Sequence, residues 1–270
     1  MAIPPSSRPL SGQRILICRP EPEASRLADG FRAKGATTEV VPLLERLPLP
    51  ESAAQRSLIQ HIDQYHHIIA VSPYAARLLV EQLDTWWPQP PVGLHWYGVG
   101  SGTAQVLGQA GLRPHWPEWG NDSEALLALP QLASPSGQKV LLVRGDQGRE
   151  LIRDTLRQRG ADVTALSLYS RRCPATAQTQ LPQSLTHFDP HAVVVLSGET
   201  LNNFIALGEN SDHTLRQRLL VLPVQRVADR AAAAGFCNLC IPDSLQDDHI
   251  VAAVARRLSP GTCNDVHQPD

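Results

Sequence analysis

Leu16-Ile17-Cys18-Arg19-Pro20 and Leu141-Leu142-Val143-Arg144-Gly145 are two versions of one string: an apolar run of strand length, an arginine, then a turn residue. They stand 125 residues apart, and the agreement continues downstream. Lys34-Gly35-Ala36 faces Arg159-Gly160-Ala161 at the same offset, and residues 67–71 with Ser72-Pro73 face residues 192–196 with Ser197-Gly198. Farther on, Thr103-Ala104 with Gly111-Leu112 faces Val227-Ala228 with Gly235-Phe236, and Ser123-Glu124 faces Asp247-Asp248, at an offset of 124. One deleted residue accounts for the change, so the chain reads as a duplication held in register.

Within each copy, short apolar runs alternate with amphipathic stretches. Residues 14–18, 38–42, 68–71, 94–99 and 112–115 are expected strands, and helical spacing fills the intervals. Such alternation implies parallel sheets covered by helices on both faces. Ser72-Pro73, Asn121-Asp122-Ser123-Glu124 and Asp247-Asp248 mark helix starts, and Gly35, Gly111, Gly160 and Gly235 mark helix ends. Segments 47–56, 130–138 and 173–190, rich in Pro, Ser, Thr and Gln, are expected loops, and residues 261–270 a frayed tail.

Composition limits what such a fold can do. A chain of 270 residues suggests about two domains, and 42% hydrophobic with 19% charged residues excludes disorder and coiled coil. Twenty-four basic against 26 acidic residues leave a net charge of −2, which offers no bulk field for a nucleic acid or an anionic membrane. No apolar run approaches the roughly 18 residues of a membrane span, and residues 1–13 lack the apolar centre of a secretory signal, so a cytoplasmic location is expected. Cys18, Cys173, Cys237, Cys240 and Cys263 are odd in number and scattered, and free thiols are expected.

In open parallel sheets, ligands bind outside the carboxyl ends of the strands. The turns there are Arg19-Pro20, Ser72-Pro73, residues 98–103, Arg144-Gly145, Ser197-Gly198 and residues 222–227. They are mostly small, hydroxylic or glycine residues, with one arginine in the first turn of each copy. Such turns suit anions, because each helix N-terminus favours a carboxylate or phosphate by about 0.3–1 kcal/mol. The same serines and glycines also serve as plain helix caps. Gly98-Val99-Gly100-Ser101-Gly102-Thr103 lacks the third glycine of a dinucleotide fingerprint and reads as a tight turn with Thr103 as cap or ligand hydroxyl. Cys237-Asn238-Leu239-Cys240 falls on an expected strand, where residues three apart face opposite ways, so no metal site is assigned to it or to the ten histidines. With no G-x-S-x-G elbow, Ser72 and Ser197 read as contacts rather than nucleophiles.

Several strings together resemble the uroporphyrinogen-III synthase family. They are the opening strand with Arg19-Pro20, Val71-Ser72-Pro73 with Ala75-Ala76-Arg77, Val99-Gly100 with Thr103-Ala104, Arg144-Gly145, Leu168-Tyr169-Ser170-Arg171, Leu196-Ser197-Gly198-Glu199 and Pro242-Asp243, spanning about residues 14 to 258. The resemblance implies two flavodoxin-like α/β lobes with parallel sheets joined by two extended segments, here 41–48 and 166–173. The lobes are then residues 1–46 with 171–270, and 47–170, with substrate held in a cleft they share. It implies a cofactor-free, metal-free cyclisation of hydroxymethylbilane to uroporphyrinogen III with inversion of the terminal pyrrole ring. Tyr169 is the implied proton donor, since a phenol is protonated at neutral pH, although a buried core tyrosine is the plain alternative. Arg19, Ser72, Pro73, Gly100, Thr103, Arg144, Gly145, Ser197, Gly198, Arg226 and Val227 are the implied substrate contacts. One departure stands out: many relatives carry Ser or Thr in the last strand-to-helix turn, where this chain has Val224 and Val227.

Two other classes fit part of the pattern. A two-lobed binding or sensor protein for a tetrapyrrole or other polyanion would use the same turns without chemistry. A nucleotide-sugar transferase would need a diphosphate turn that the sequence lacks. A monomer is expected, without nucleic acid or membrane, with transient contact to the preceding pathway enzyme as a further partner.

Overall fold

Runs such as Ile15-Leu16-Ile17 and Ile68-Ile69-Ala70 are buried at every residue. A strand tolerates that only when helices shelter both faces of its sheet. The computed structural model describes residues 8–120, 122–208 and 213–258; Asn121, Cys263, the tail 261–270 and the first seven residues of segment 1–13 lie outside them. The chain divides into two compact units, Met1–Glu45 with Arg172–Asp270, and Arg46–Arg171.

The first unit holds β1 (Arg14–Ile17), β2 (Thr37–Val40), β9 (Ala192–Val194), β10 (Leu219–Val221) and β11 (Leu239–Cys240) in the order β11-β10-β9-β1-β2, all parallel. Its helices are α1 (Glu23–Ala33), α7 (Ala177–Gln183), α8 (Gly198–Gly208), α9 (Gln225–Ala233) and α10 (Asp247–Leu258). The second unit's sheet runs β3-β8-β7-β4-β5-β6: β3 (Glu45–Pro48), β4 (His67–Ala70), β5 (His95–Gly98), β6 (Pro114–His115), β7 (Lys139–Gly145) and β8 (Asp162–Arg172). Around it lie α2 (Ala53–Gln60), α3 (Pro73–Trp86), α4 (Ser101–Gln109), α5 (Ser123–Leu127) and α6 (Leu151–Gln158).

The duplication reaches the hydrogen-bond register. β1 pairs with β2 from Arg14↔Thr37, and β7 with β8 from Lys139↔Asp162, each partner 125 residues on. Likewise Ile15↔Ala192 between β1 and β9 answers Val140↔His67 between β7 and β4. Even a side-chain device recurs: Nδ1 of His191 accepts the Arg14 amide at 3.2 Å, and Nδ1 of His66 accepts the Lys139 amide at 3.1 Å. The β3 strand on the outer edge of the second sheet is the addition that breaks the symmetry of the two strand orders.

Alternation along each strand divides the core. In the first unit Ile15, Ile17 and Val194 face Phe31 and Val251, while Leu16, Val193 and Leu220 face Phe204 and Phe236. In the second, Ile68, Leu141 and Val143 face Leu79 and Leu107, while Ile69, Leu142 and Val163 face Leu126 and Leu156. Each such side chain contributes roughly 1.5–3 kcal/mol by leaving water. Cys18, Cys173, Cys237 and Cys240 are free thiols. Gly35, Gly111, Gly160 and Gly235 end their helices at φ between 79° and 94°, where a side chain would be strained.

Three expected loops carry structure. Residues 173–190 contain α7 and a π-helical turn at Ser184–Phe188, because Ala177 and Leu181 stand one helical turn apart and are fully buried. The Gln and Thr between them mask that spacing in the sequence. Residues 47–56 contain the end of β3 and the start of α2, which Ser52 caps in a reciprocal box with Gln55. Residues 130–138 open with a 3₁₀ turn at Pro130–Leu132. The strand expected at 112–115 is only Pro114–His115.

Gly98 ends β5 where a Cβ would lie 2.7 Å from the Ala104 amide nitrogen, whereas Gly108, in α4, has nothing within 4 Å. Gly98→Ala should therefore destabilise the protein by about 1–3 kcal/mol and Gly108→Ala stabilise it by up to about 1 kcal/mol, read as opposite shifts of the urea midpoint. His67 supplies a second prediction. Its Nε2–H donates to Gln138 Oε1 at 2.6 Å, and the Tyr97 hydroxyl donates to its Nδ1 at 3.0 Å. Burial lowers its pKa, His95 and His66 lower it further, and the Gln138 bond opposes them. The unfolded chain then takes up the proton first, so stability falls as pH drops below about 6.5. Urea titrations at pH 7.5 and 5.5 should show a smaller fall in His67→Gln than in the parent.

Candidate active site

Parallel strands deliver their carboxyl ends to one edge of each sheet, and the singled-out residues lie along those edges. In the second unit, Ser72 follows β4 and caps α3, its Oγ accepting the Ala75 amide at 3.1 Å, with Pro73 in the first helical turn. The same Oγ lies 3.3 Å from the Tyr169 hydroxyl. Tyr169 belongs to β8 and is 5% exposed.

A register shift brings this pair together. β7 and β8 pair in step as far as Arg144↔Ser167, and the next pair is Gly145↔Tyr169. The extra residue re-aims β8. Gly145 makes room for the result: a Cβ there would lie 2.9 Å from Tyr169 Cε2 and 3.1 Å from Cζ. Its missing side chain is thus a condition for the phenol's position.

Around the phenol stand groups to which the sequence reading gave no role in the site, Arg77 having been noted only within a resembling string. The Tyr74 ring meets Tyr169 edge-on at 5.0 Å, with the Arg46 guanidinium 5.0 Å and that of Arg77 5.7 Å from its centroid. Burial raises the Tyr74 phenol pKa while Arg46 and Arg77 pull it down. Helical spacing from Tyr74 to Arg77 was a readable signal, since residues three apart share a face. Arg46, on β3, had none.

The arginines of the two repeat-related turns are held by acids. Arg144 is buried, its Nη1 2.9 Å from Glu150 Oε2 and its Nε donating to its own neighbour Gly145 O at 3.1 Å. In the first unit, Arg19 Nη1 lies 3.2 Å from Asp247 Oδ1, and Asp247 also pairs with Arg26. Burial lowers the Arg19 pKa against the raising effect of Asp247. Both guanidiniums brace their turns.

The remaining positions follow the duplication. Ser197 caps α8, its Oγ accepting the Thr200 amide at 3.0 Å and lying 2.7 Å from Thr200 Oγ1. At Gly198 a Cβ would stand 2.9 Å from Arg230 Nη1. Gly100 begins α4 and Val224 begins α9, neither with a side-chain cap. Thr103 and Val227 occupy the same place in those helices and are both buried, at 3% and 2%. Val227 therefore belongs to the core and offers a ligand at most its backbone, while Arg226 beside it is exposed.

Among the described residues, Ser72 has a phenol and an amide as neighbours and no histidine within hydrogen-bond reach, so nothing activates it as a nucleophile. No group of three His, Cys, Asp or Glu among the described residues could hold a metal, and no helix among them is long and apolar enough to cross a membrane. The chemistry on offer is hydrogen bonding, proton donation from a phenol, and recognition of anions by turns.

Comparison with known proteins gives this arrangement a family. Residues 25–252 match the family model described as uroporphyrinogen-III synthase HemD. The chain is 30% identical over 249 residues to the uroporphyrinogen-III synthase of Escherichia coli, covering 89% of this chain and 99% of that one. Against the Salmonella typhimurium enzyme of the same name it is 30% identical over 244 residues, with the same coverage. The fold is that of the uroporphyrinogen III synthase structure from Thermus thermophilus, with a TM-score of 0.65 at 17% identity over 92% of this chain and 99% of that one. The Helicobacter pylori uroporphyrinogen-III synthetase structure follows at TM-score 0.58 and 12% identity, over 91% and 99%. The chain belongs to the uroporphyrinogen-III synthase family and is an enzyme of tetrapyrrole biosynthesis.

Proposed function

We propose that this enzyme closes hydroxymethylbilane to uroporphyrinogen III, a cyclising hydro-lyase reaction, and that Tyr169 supplies the proton that lets the hydroxyl leave. The observation that carries the reading is the Tyr169 hydroxyl held 3.3 Å from Ser72 Oγ by the β7–β8 shift. The substrate's hydroxymethyl C–O bond breaks as its oxygen takes the phenol proton and departs as water, leaving an azafulvene. The already substituted carbon of the terminal ring then attacks it. The spiro intermediate reopens and closes in the inverted sense, and the proton released on rearomatisation restores the phenol. Because a phenol is a weak acid at neutral pH, its share of the rate is partial, and positioning carries the rest.

The two compact units serve as the lobes in this reading, each contributing strand-end turns. Ser72 and Pro73, Gly100 and Thr103, Ser197 and Gly198, and the backbone at Arg226-Val227 bind the substrate's acetates and propionates, through hydroxyls and the amide donors of helix first turns. Arg19 and Arg144 hold their turns in shape through Asp247 and Glu150. Gly145 keeps the phenol in place.

Hydroxymethylbilane also cyclises by itself to the uninverted type I isomer, so the test is isomer analysis of the product with and without protein. Type III product only in the presence of protein is expected; type I in both tubes, with the ligand released unchanged, would make the protein a binder. Tyr169→Phe should lower kcat about tenfold, roughly 1.4 kcal/mol of barrier, with little change in KM. Gly145→Ala should lower kcat to a similar degree by displacing the same ring, while Val227→Thr should keep activity, as the twin position already holds Thr103. Full turnover in Tyr169→Phe would remove the phenol from the mechanism.

A further inference from the structure

Six large hydrophobic side chains are exposed among the described residues: Val92, Trp116, Trp119, Val224, Ile241 and Leu245. Scattered exposure of this kind is ordinary, but here it is not scattered. Trp116 and Trp119 lie between β6 and α5, Val224 between β10 and α9, and Ile241 and Leu245 between β11 and α10. All five sit in loops leaving the carboxyl ends of strands, as do Ser72 in the second unit and Ser197 in the first, and Thr103 lies in the first turn of the helix that follows β5. Only Val92, before β5, lies at the other end.

The pattern repeats between the units as the fold does. Trp116-Pro117 and Ile241-Pro242 stand 125 residues apart, so the loop after the last strand of each sheet presents an apolar residue followed by proline. The second unit carries the larger surface, with Trp119 88% exposed. β6 neighbours β5, and β5 neighbours β4. At a strand spacing of about 4.8 Å, the loop after β6 leaves the sheet roughly 10 Å from the turn that holds Ser72. Glu118 and Asp122 flank Trp119 and make this loop a poor seat for a carboxylate. What it offers a ligand is an indole face.

We propose that Trp119, flanked by Trp116, is a stacking platform for the pyrrole rings of the substrate, while the neighbouring turns take its carboxylates. This rests on the function proposed above and adds to it a positioning surface for the ring system. Stacking on an indole needs only a flat π-face and tolerates rotation of the ring about its own axis. A platform of that kind suits a chain whose terminal ring has to turn over. It binds substrate and intermediates alike, so its loss appears in KM rather than kcat.

The test compares the parent with Trp119→Ala, Trp119→Phe and Val92→Ser. Trp119→Ala should raise KM for hydroxymethylbilane about tenfold with kcat within about twofold, Trp119→Phe should recover most of that loss, and Val92→Ser should match the parent. Trp119 is too exposed for its truncation to unfold the protein, and an unchanged urea midpoint would verify this. Anaerobic titration with uroporphyrinogen III gives a second readout: acrylamide quenching of tryptophan emission should be suppressed by ligand in the parent and much less in Trp119→Phe. If the parent makes the type III isomer and Trp119→Ala leaves both KM and product affinity unchanged, the platform is overturned and the function stands. If the parent makes only type I product yet binds uroporphyrinogen III in a Trp119-dependent way, the function falls and the platform stands. No binding by the parent overturns both.

Discussion

A parallel strand cannot be joined to its neighbour by a tight turn, so the chain must return through a helix before pairing again. That constraint orders the rest of this protein. It sends the parallel strands β1, β4, β5, β7, β9 and β10 into their next helices at one edge of each sheet, where helix first turns, capping serines and small residues collect. It also buries the inner strands on both faces, which is why their sequences include continuous apolar runs such as Leu141-Leu142-Val143. Anion recognition at such an edge needs no basic surface, in keeping with a net charge of −2.

Duplication doubles that edge, and divergence then makes the copies unequal. The scaffold is kept to the level of strand register and of the histidines that receive the Arg14 and Lys139 amides. Arg19 and Arg144 keep an acidic partner in each copy, drawn from different places: Asp247, 228 residues away, in one and Glu150, six away, in the other. The position that answers Tyr169 is Leu44, and the one that answers Gly145 is Pro20. Only the second copy therefore has both a phenol and the space for its ring.

The phenol's setting also shows how much of a side chain's placement is decided by residues around it. Tyr169 is held by a bulge, a missing Cβ and a T-shaped contact with Tyr74, which in turn meets the guanidiniums of Arg46 and Arg77 and donates its hydroxyl to the Arg46 carbonyl. None of these needs to meet substrate to matter. In the function proposed for it, a ring has to be turned over and sealed, and for such a step a rigid surround for one hydroxyl contributes more than a stronger donor loosely held.

The sequence alone determined the alternation of strands and helices, their duplication and the small-residue turns that follow the strands, because period, capping and apolar runs are local properties of a chain. It concealed α7, since Gln and Thr outnumber the two buried residues, Ala177 and Leu181, that seat the helix. It marked Tyr169 only by family likeness and gave Arg46 no mark at all. Tertiary structure alone decided that Arg19 and Arg144 are neutralised by acids, that Val227 is core, and that the exposed indoles share a sheet edge with the capping Ser72. The reason is physical: periodicity is written between near neighbours, whereas an ion pair, a ring contact or a surface exists only once distant segments are packed side by side.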